Sequence, residues 1–186
     1  MKLYSGIITL IVVISSNSFA QDMASLNSTL PVNDESKLIS FEKVLEVPEV
    51  KKNEIFDRAM NWISAYYKNP TDVIRERNPD AGKILCKARF KIFNEPNKDG
   101  IATDAGVIQY TLTLQFKDGK YKYEITEFNW KQLSYYPIER WLNTSSPSYN
   151  KAYEYYLLQV NDYSFKTIAD LEKNMAIKKK EKKENW

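Results

Sequence analysis

The chain reads GKILCKARFKIF at residues 82–93 and VIQYTLTLQFKDGKYKYEI at residues 107–125. In both stretches, apolar and polar side chains alternate one by one, which is the pattern of a strand with one packed face and one solvated face. The pair Asp118-Gly119 predicts a tight β-hairpin, because these residues tolerate the positive φ angles that such turns need. The two stretches therefore predict three strands of an antiparallel sheet.

The segments around these strands predict two helices and two shorter strands. From Ile55 to Tyr66 and from Tyr153 to Met175, apolar residues recur every three or four positions, as in an amphipathic helix. We expect Asn53 to cap the first helix. Short strands are expected at 41–47 and 72–77, on either side of that helix. The predicted fold class is α+β, with the order β-α-β-β-β-β-α and two helices packed on one face of an antiparallel sheet.

The N-terminal residues predict export. Residues 7–14 form an apolar run, and Ser18-Phe19-Ala20 has small residues at the positions that signal peptidase reads. The run is far shorter than the roughly 20 residues of a membrane-spanning helix. We therefore expect cleavage after Ala20 and a soluble mature protein that is secreted or periplasmic. The predicted organisation is a signal peptide at 1–20, a flexible leader at 21–40, an α+β domain at 41–177 and a basic tail at 178–186.

The composition removes several common kinds of catalytic site. The sequence has no histidine, so Ser-His and Cys-His nucleophiles and histidine general bases are excluded. Its one cysteine, Cys86, allows no disulfide within the chain and no common zinc site. The position of Cys86 in an alternating strand predicts a small buried hydrophobic residue. We expect no enzyme activity, no catalytic residues, no metal site and no cofactor.

Positive charge is concentrated at the C-terminal end. The chain has a net charge of +3, and residues 178–186 hold five lysines and two glutamates. Lys2 leaves with the signal peptide, so residues 21–177 carry a net charge of −1. A domain that binds duplex DNA carries its positive excess on the folded body, and nucleic acid is therefore not an expected partner. The tail is interpreted as a solvated helix end or, alternatively, as a contact with an anionic envelope surface.

Several short motifs in this order resemble a known family. They are the helix IFDRAMNW at 55–62, the strand opening with Gly82-Lys83-Ile84, the hairpin from Tyr110 to Phe128, and a C-terminal helix with a basic tail ending in tryptophan. Over about residues 41–186, the chain resembles a secreted bacterial family, domain of unknown function family 4468, with a TATA-binding-protein-like (TBP-like) fold. The resemblance implies the fold but brings no known activity, ligand or site residues. Function has to be argued from surfaces.

The first candidate surface is the solvated face of the sheet. We expect it to present basic and short polar side chains, with Gln115 and Glu124 among them; the candidate binding residues are Lys83, Lys87, Arg89, Lys91, Gln109, Thr111, Thr113 and Lys122. This mixture favours a binding or assembly module whose partner is an anionic glycan, a peptide or an envelope protein. The alternative is an ordinary solvated sheet face, since such faces are normally polar.

The second candidate surface is the space between the long helix and the sheet. Its expected lining is aromatic and aliphatic: Tyr110, Leu112, Tyr121, Tyr123, Tyr153 and Leu157. A cavity there would make the protein a carrier of an apolar small molecule. The alternative is that these side chains fill the core.

Paired carboxylates provide a third, lowest-ranked hypothesis, a hydrolase that needs no histidine. Glu124 and Glu127 are close in sequence, but strand alternation places them on opposite faces. Asp99 and Asp104 fall in a turn-rich loop.

The connection before the long helix is rich in aromatic residues, namely Tyr135, Tyr136 and Trp141. We expect these side chains to cover the open end of the core, because exposed clusters of this size are uncommon. If they are exposed, they could instead stack on sugar rings.

Overall fold

The structure is a computed structural model that describes residues 30–176. The strands are β1 (Phe41–Glu46), β2 (Ile74–Asn78), β3 (Lys83–Phe93), β4 (Asp104–Lys117), β5 (Lys120–Lys131) and β6 (Tyr135–Pro137). The helices are α1 (Lys52–Tyr66), α2 (Pro70–Val73), a 3-10 helix (Ile138–Leu142) and α3 (Ala152–Met175). The predicted α+β class with an antiparallel sheet is confirmed, with the short helix α2 and the short strand β6 in addition.

The sheet has the strand order β1-β5-β4-β3-β2, and β6 pairs with β5 beyond the end of β1. The long strands β3, β4 and β5 form its centre, and all pairings are antiparallel. The apolar residues of the alternating stretches lie on one face and are buried there; they include Ile84, Cys86, Ile92, Ile108, Leu112, Leu114 and Ile125. The predicted alternation and the buried position of Cys86 are therefore confirmed.

Glu127 interrupts the alternation of β5. Its φ is 53°, in the left-handed region, and the ladder between β4 and β5 shifts register between Gln109 and Thr111. The extra residue is a β-bulge, which reverses the facing of the residues that follow. Phe128 is buried as a result.

The hairpin turn between β4 and β5 also caps the first helix. The Asp118 carboxylate accepts a hydrogen bond of 2.8 Å from the backbone N–H of Lys52, the first residue of α1. This bond and the neighbouring Lys51 ammonium hold the pKa of Asp118 below its usual value. The prediction that Asn53 caps this helix is wrong, because the helix begins at Lys52, two residues earlier than that cap implies, and its capping carboxylate comes from a distant turn.

The two long helices pack side by side over the apolar face of the sheet. The Trp62 indole of α1 donates a 2.8 Å hydrogen bond to the carboxylate of Asp170 in α3. Arg58 donates to the backbone carbonyl of Met175 at 3.0 Å, and so satisfies a free carbonyl at the end of α3. These contacts fix the end of α3 on α1.

The described part of the predicted leader packs on the domain. Leu30 and Ile39 are buried, Val32 pairs with Ile39, and the backbone N–H of Ile39 donates to the Glu139 carboxylate at 3.0 Å. The described part of the predicted leader is thus anchored at Leu30, Ile39 and Ser40, while most of the residues between them are exposed, and the flexible leader at 21–40 stays a prediction. The predicted signal peptide at 1–20 and basic tail at 178–186 lie outside the described residues.

One further boundary differs from the prediction. The strand expected at 72–77 begins at Ile74, because residues Pro70–Val73 form a helical turn that has proline at its first position. Within residues 30–176, no helix combines the length and the apolar character that crossing a bilayer requires.

Candidate functional site on the open face of the sheet

The predicted binding residues share the face that the helices leave uncovered. Across the strands, Lys122 lies opposite Gln115, which lies opposite Lys83, while Arg89 lies opposite Gln109. Lys87, Arg89 and Lys91 are exposed, Lys83, Gln109, Thr113 and Lys122 are half-buried, and Thr111 is buried. The structure therefore brings the predicted residues together on one surface, which we call the open face.

Acidic residues on other strands of the sheet offset most of the positive charge of this face. The lysine ammonium groups pair with carboxylates as Lys83–Glu76 (2.8 Å), Lys87–Glu127 (3.7 Å), Lys91–Asp104 (2.9 Å) and Lys122–Glu42. Arg89 forms no ion pair within residues 30–176. Partly exposed pairs of this kind contribute about 0–1 kcal/mol each to stability, but they lower the net charge that a ligand meets. The open face as a whole is thus a mixed-charge surface and not a basic stripe.

A positive excess remains at one end of the open face, beside the hairpin turn. A pocket of about 460 Å³ is lined there by four lysines, Lys83, Lys117, Lys120 and Lys122, together with Val44, Ala81, Gly82, Gln115, Phe116 and Tyr121. We call it the lysine pocket. Lys117 and Lys120 lie opposite each other at the end of the β4–β5 ladder.

The charge of the lysine pocket follows from the pairing of its lysines. Lys83 and Lys122 each have one carboxylate partner. Lys117 and Lys120 are exposed and form no ion pair within the described residues, although Glu46 lies opposite Lys120 in the β1 ladder. Two of the four ammonium groups are therefore available to an anion.

Gly82 allows the floor of the lysine pocket to form. Its φ is 62°, and its carbonyl accepts a 2.8 Å hydrogen bond from the backbone N–H of Phe116. A Cβ atom at this position would lie 2.6 Å from the carbonyl oxygen of Phe116. Only glycine combines this backbone angle with such a close approach.

Lys117 and Lys120 are the residues that sequence reasoning misses. They flank the Asp118-Gly119 pair and are easily interpreted as turn residues only. The available signal is that a two-residue turn places its flanking residues directly opposite each other, so two lysines there must lie side by side.

The second predicted surface is occupied by side chains. Of its residues, Tyr110, Leu112, Tyr121, Tyr123 and Leu157 are buried and Tyr153 is half-buried. The Tyr110 hydroxyl is hydrogen-bonded to the hydroxyls of Tyr67 (3.0 Å) and Tyr163 (3.2 Å). Tyr123 reaches an open groove of about 720 Å³ between β1 and α3. The carrier hypothesis stays a prediction, and the packing of these rings favours its alternative, a filled core.

The carboxylates of the third hypothesis are arranged differently from the prediction. Glu127 accepts a 2.7 Å hydrogen bond from the hydroxyl of Thr111, which lies on the open face. Glu124 lies opposite Thr113, which shares that face with Thr111. The expectation that Glu124 and Glu127 lie on opposite faces is wrong, because the bulge at Glu127 adds a residue between them.

Both glutamates already have protein partners. Glu124 accepts a 3.2 Å hydrogen bond from the hydroxyl of Ser40, and Glu127 is bound to Thr111. Of the other predicted pair, Asp99 is exposed, while Asp104 binds Lys91 and the backbone N–H of Gly106, which lower its pKa. No group of three or more acidic or cysteine side chains within residues 30–176 is placed to hold a metal ion.

The aromatic residues before the long helix were expected either to cover the core or to be exposed, and the structure shows both. The Trp141 side chain is 4% exposed and stacks on Tyr153 with ring centroids 5.1 Å apart. Tyr135 and Tyr136 are 49% and 40% exposed. Trp141 therefore covers the end of the core, and the two tyrosines face solvent.

Comparisons with known proteins agree on the fold. A DUF4468 family protein from Bacteroides ovatus has a crystal structure similar to this one, with a TM-score of 0.63, 16% identity, and coverage of 80% of this chain and 91% of that chain. A TBP-like protein from Parabacteroides distasonis is also similar, with a TM-score of 0.59, 16% identity, and coverage of 78% and 96%. At this identity, the likeness shows the fold alone. No curated protein matches the chain. The family resemblance in the sequence is confirmed, since residues 41–131 match the model of the family described as "Domain of unknown function (DUF4468) with TBP-like fold".

Proposed function

We propose that this chain is an exported, non-enzymatic binding module that captures an anionic glycan in the lysine pocket of its open face. The observation that carries the proposal is the convergence of four lysines on one pocket of about 460 Å³, two of them without a carboxylate partner among residues 30–176. The absence of histidine from the whole sequence supports a binding role over acid-base catalysis.

The lining of the lysine pocket suits a charged sugar better than a simple ion. Lys117 and Lys120 supply mobile ammonium donors that meet a carboxylate or sulfate as point charges. The Gln115 side chain lies between Lys83 and Lys122 and offers an amide to sugar hydroxyl groups. Val44, which is exposed, adds apolar surface for the face of a sugar ring. A small inorganic anion would use only the first of these features.

Binding that depends on exposed lysines should be sensitive to salt. The Debye length shortens from about 30 Å at 0.01 M salt to about 8 Å at 0.15 M, so attraction between the pocket and an anionic chain weakens over this range. A neutral oligosaccharide of the same length lacks this attraction. The proposal therefore predicts both a charge requirement and a salt dependence.

The test is isothermal titration calorimetry of the mature chain with an oligogalacturonate and with a heparin oligosaccharide, using a neutral maltooligosaccharide for comparison. The variant Lys117→Ser/Lys120→Ser removes the two lysines that have no ion-pair partner. Its matched control, Lys151→Ser/Lys173→Ser, removes the same charge from exposed lysines at the two ends of α3.

We expect at least one anionic glycan to bind the parent chain. Its affinity for the pocket variant should be at least tenfold lower, and its affinity for the control variant should equal that for the parent. Equal binding to both variants would show that general positive charge is responsible and would reject the pocket. Binding of the neutral sugar with the same affinity, or of neither anionic glycan, would reject an anionic-glycan site.

A further inference from the structure

The outer edge of β3 is covered only over its first part. Strand β2 pairs with β3 from Asn78↔Lys83 to Ile74↔Cys86 and ends there. From Lys87 onward, β3 has β4 on one side and no strand on the other within the described residues. A partly uncovered edge of this kind presents backbone groups that can pair with another chain.

The hydrogen bonds of Phe93 show which residues direct their backbone groups outward. The Gln159 side chain of α3 accepts from the backbone N–H of Phe93 at 2.9 Å and donates to its carbonyl at 2.8 Å. In an antiparallel ladder, the N–H and C=O of one residue point to the same side, and the side alternates with each residue. Since the N–H and C=O of Phe93 point away from β4, those of Lys91, Arg89 and Lys87 also point outward.

These outward groups form a short binding edge. No hydrogen bond to the backbone N–H or C=O of Lys87, Arg89 or Lys91 comes from any strand or loop on that side within residues 30–176. The edge from Lys87 to Lys91 is about 14 Å long at the strand rise of about 3.4 Å per residue. Strand β2 and the short helix α2, which contacts β3, limit it at one end, and the Gln159 amide limits it at the other. Its length suits an added strand of about five residues.

A tyrosine-lined pocket lies beside this edge. It has a volume of about 470 Å³. Its lining contains the tyrosines Tyr66, Tyr67 and Tyr163, the charged residues Lys68, Asp72, Lys87 and Arg89, and also Asn69, Val73 and Ala88. Tyr163 stacks on Phe90 of β3 with ring centroids 3.9 Å apart. The Tyr66 hydroxyl is bound to Thr167 at 2.8 Å. The walls are therefore held in place by their own contacts.

The side chains along the edge select the chemistry of a partner strand. Lys87, Arg89 and Lys91 all project to the open face, and residues opposite them on an added strand would project to the same face. Arg89 and Lys68 have no ion-pair partner within the described residues, and they outnumber Asp72, the acid in the pocket lining, so the edge keeps a positive excess. Acidic side chains at alternate positions of the added strand would offset it. The intervening residues would point to the opposite face, towards the tyrosines.

A second copy of this chain fits the edge poorly. Antiparallel self-pairing about Arg89 would place Arg89 opposite its own copy and Lys87 opposite Lys91. Like charges directly opposite each other destabilise a sheet. The positive charges of Lys87, Arg89 and Lys91 therefore disfavour self-association and favour an acidic strand.

We propose that the outer edge of β3, from Lys87 to Lys91, binds an extended segment of a partner protein in which acidic and apolar residues alternate. The segment adds a strand to the sheet, its acidic side chains meet Arg89 and its neighbours, and an apolar side chain enters the tyrosine-lined pocket. This site does not depend on the lysine pocket, from which it is separated along β3.

The test uses the labelled peptide acetyl-Glu-Val-Glu-Val-Glu-Val-Glu-amide in fluorescence anisotropy with the mature chain. Four peptides serve as comparisons. One has lysine in place of every glutamate, and one has the same composition but all glutamates grouped before the valines. The other two are N-methylated at alternate residues, one in each of the two possible phases. Hydrogen exchange of the β3 amides is measured with and without the parent peptide.

We expect binding of the parent peptide, at least tenfold weaker binding of the lysine and grouped peptides, and loss of binding in only one of the two N-methylated phases. The amides of Lys87, Arg89 and Lys91 should exchange more slowly in the complex. Binding should persist in Lys117→Ser/Lys120→Ser, which separates this site from the lysine pocket. Equal binding of the parent and grouped peptides, equal tolerance of both methylated phases, or unchanged exchange at these amides would overturn the proposal.

Discussion

The hydroxyl group of Tyr110 is the centre of a buried hydrogen-bond chain, and its removal should destabilise the protein in a defined way. It binds the hydroxyls of Tyr67 (3.0 Å) and Tyr163 (3.2 Å). Burial raises the pKa of both Tyr110 and Tyr67 well above the usual tyrosine value, so both stay neutral through the ordinary pH range. Tyr67 is buried, and within residues 30–176 its hydroxyl has no hydrogen-bond partner other than Tyr110.

The expected cost of Tyr110→Phe follows from the group that is left behind. The Tyr67 hydroxyl stays buried without a partner, which costs about 1–3 kcal/mol. Both tyrosines line the same open pocket, but Tyr67 is only 9% exposed whereas Tyr163 is half-buried, so water can replace the lost bond at Tyr163 and not at Tyr67. Tyr67→Phe should cost less, about 0.5–1.5 kcal/mol, because Tyr110 keeps its bond to Tyr163.

The double variant Tyr67→Phe/Tyr110→Phe separates this explanation from a simple loss of contacts. It leaves no unpaired hydroxyl inside the core, so its cost should be no greater than that of Tyr110→Phe alone. The two substitutions should therefore be non-additive, with a coupling free energy of about 1 kcal/mol.

The free energies of unfolding are measured by urea denaturation of residues 21–186, with tyrosine and tryptophan fluorescence as the signal. Tyr135→Phe is the matched control, because the Tyr135 side chain is exposed; its effect should stay within about 0.5 kcal/mol. The reasoning is refuted if Tyr110→Phe falls within the same limit, or if the costs of the two single substitutions simply add in the double variant.

Two further predictions concern Gly82 and Glu139. Gly82→Ala should lower the free energy of unfolding by about 1–3 kcal/mol or more, because alanine is strained at a φ of 62° and its Cβ meets the Phe116 carbonyl. Gly100→Ala is the control, because Gly100 has a φ of 77° but no atom within 4 Å of an added Cβ, so this variant suffers only the backbone strain. If urea denaturation shows the same loss of stability in both variants, the close approach at Gly82 is contradicted. Burial raises the pKa of Glu139, so the folded state favours the protonated acid, and stability should fall as the pH rises from below about 4.3 through the raised value. Glu139→Gln should remove this fall, so the variant should be more stable than the parent at pH 7 and no more stable at pH 3. Thermal melts measure both proteins across this pH range, and parallel stability profiles would contradict the role of Glu139.

Much of the fold is predictable because it depends on local periodicity. The alternation in 82–93 and 107–125 predicts the central strands and their buried face, and the apolar stripes of α1 and α3 predict the helices that cover it. The start of α1 is less predictable, because the group that caps it is the carboxylate of Asp118, which is distant in sequence. A local rule selects Asn53 there because it considers only neighbours along the chain.

The candidate site was predictable only in part, for a related reason. Alternation places Lys83, Lys87, Arg89, Lys91 and Lys122 on the open face, but it does not say which acids lie opposite them. Their ion pairs depend on the pairing of strands across the sheet and on nearby loops. The bulge in β5 also brings Glu127 to Lys87. A one-residue change of register would replace these neighbours with others.

The amino-acid sequence by itself determined which side chains face the core and which face solvent, because a period of two or of 3.6 residues sorts them before any tertiary contact forms. Only the tertiary structure decided where charge remains unpaired and where a strand edge stays open. The lysine pocket exists because β4 and β5 meet at their turn, and the free edge of β3 exists because β2 ends at its pairing with Cys86. Both depend on strand register and strand length, which are set by packing across the whole sheet and not by any one segment.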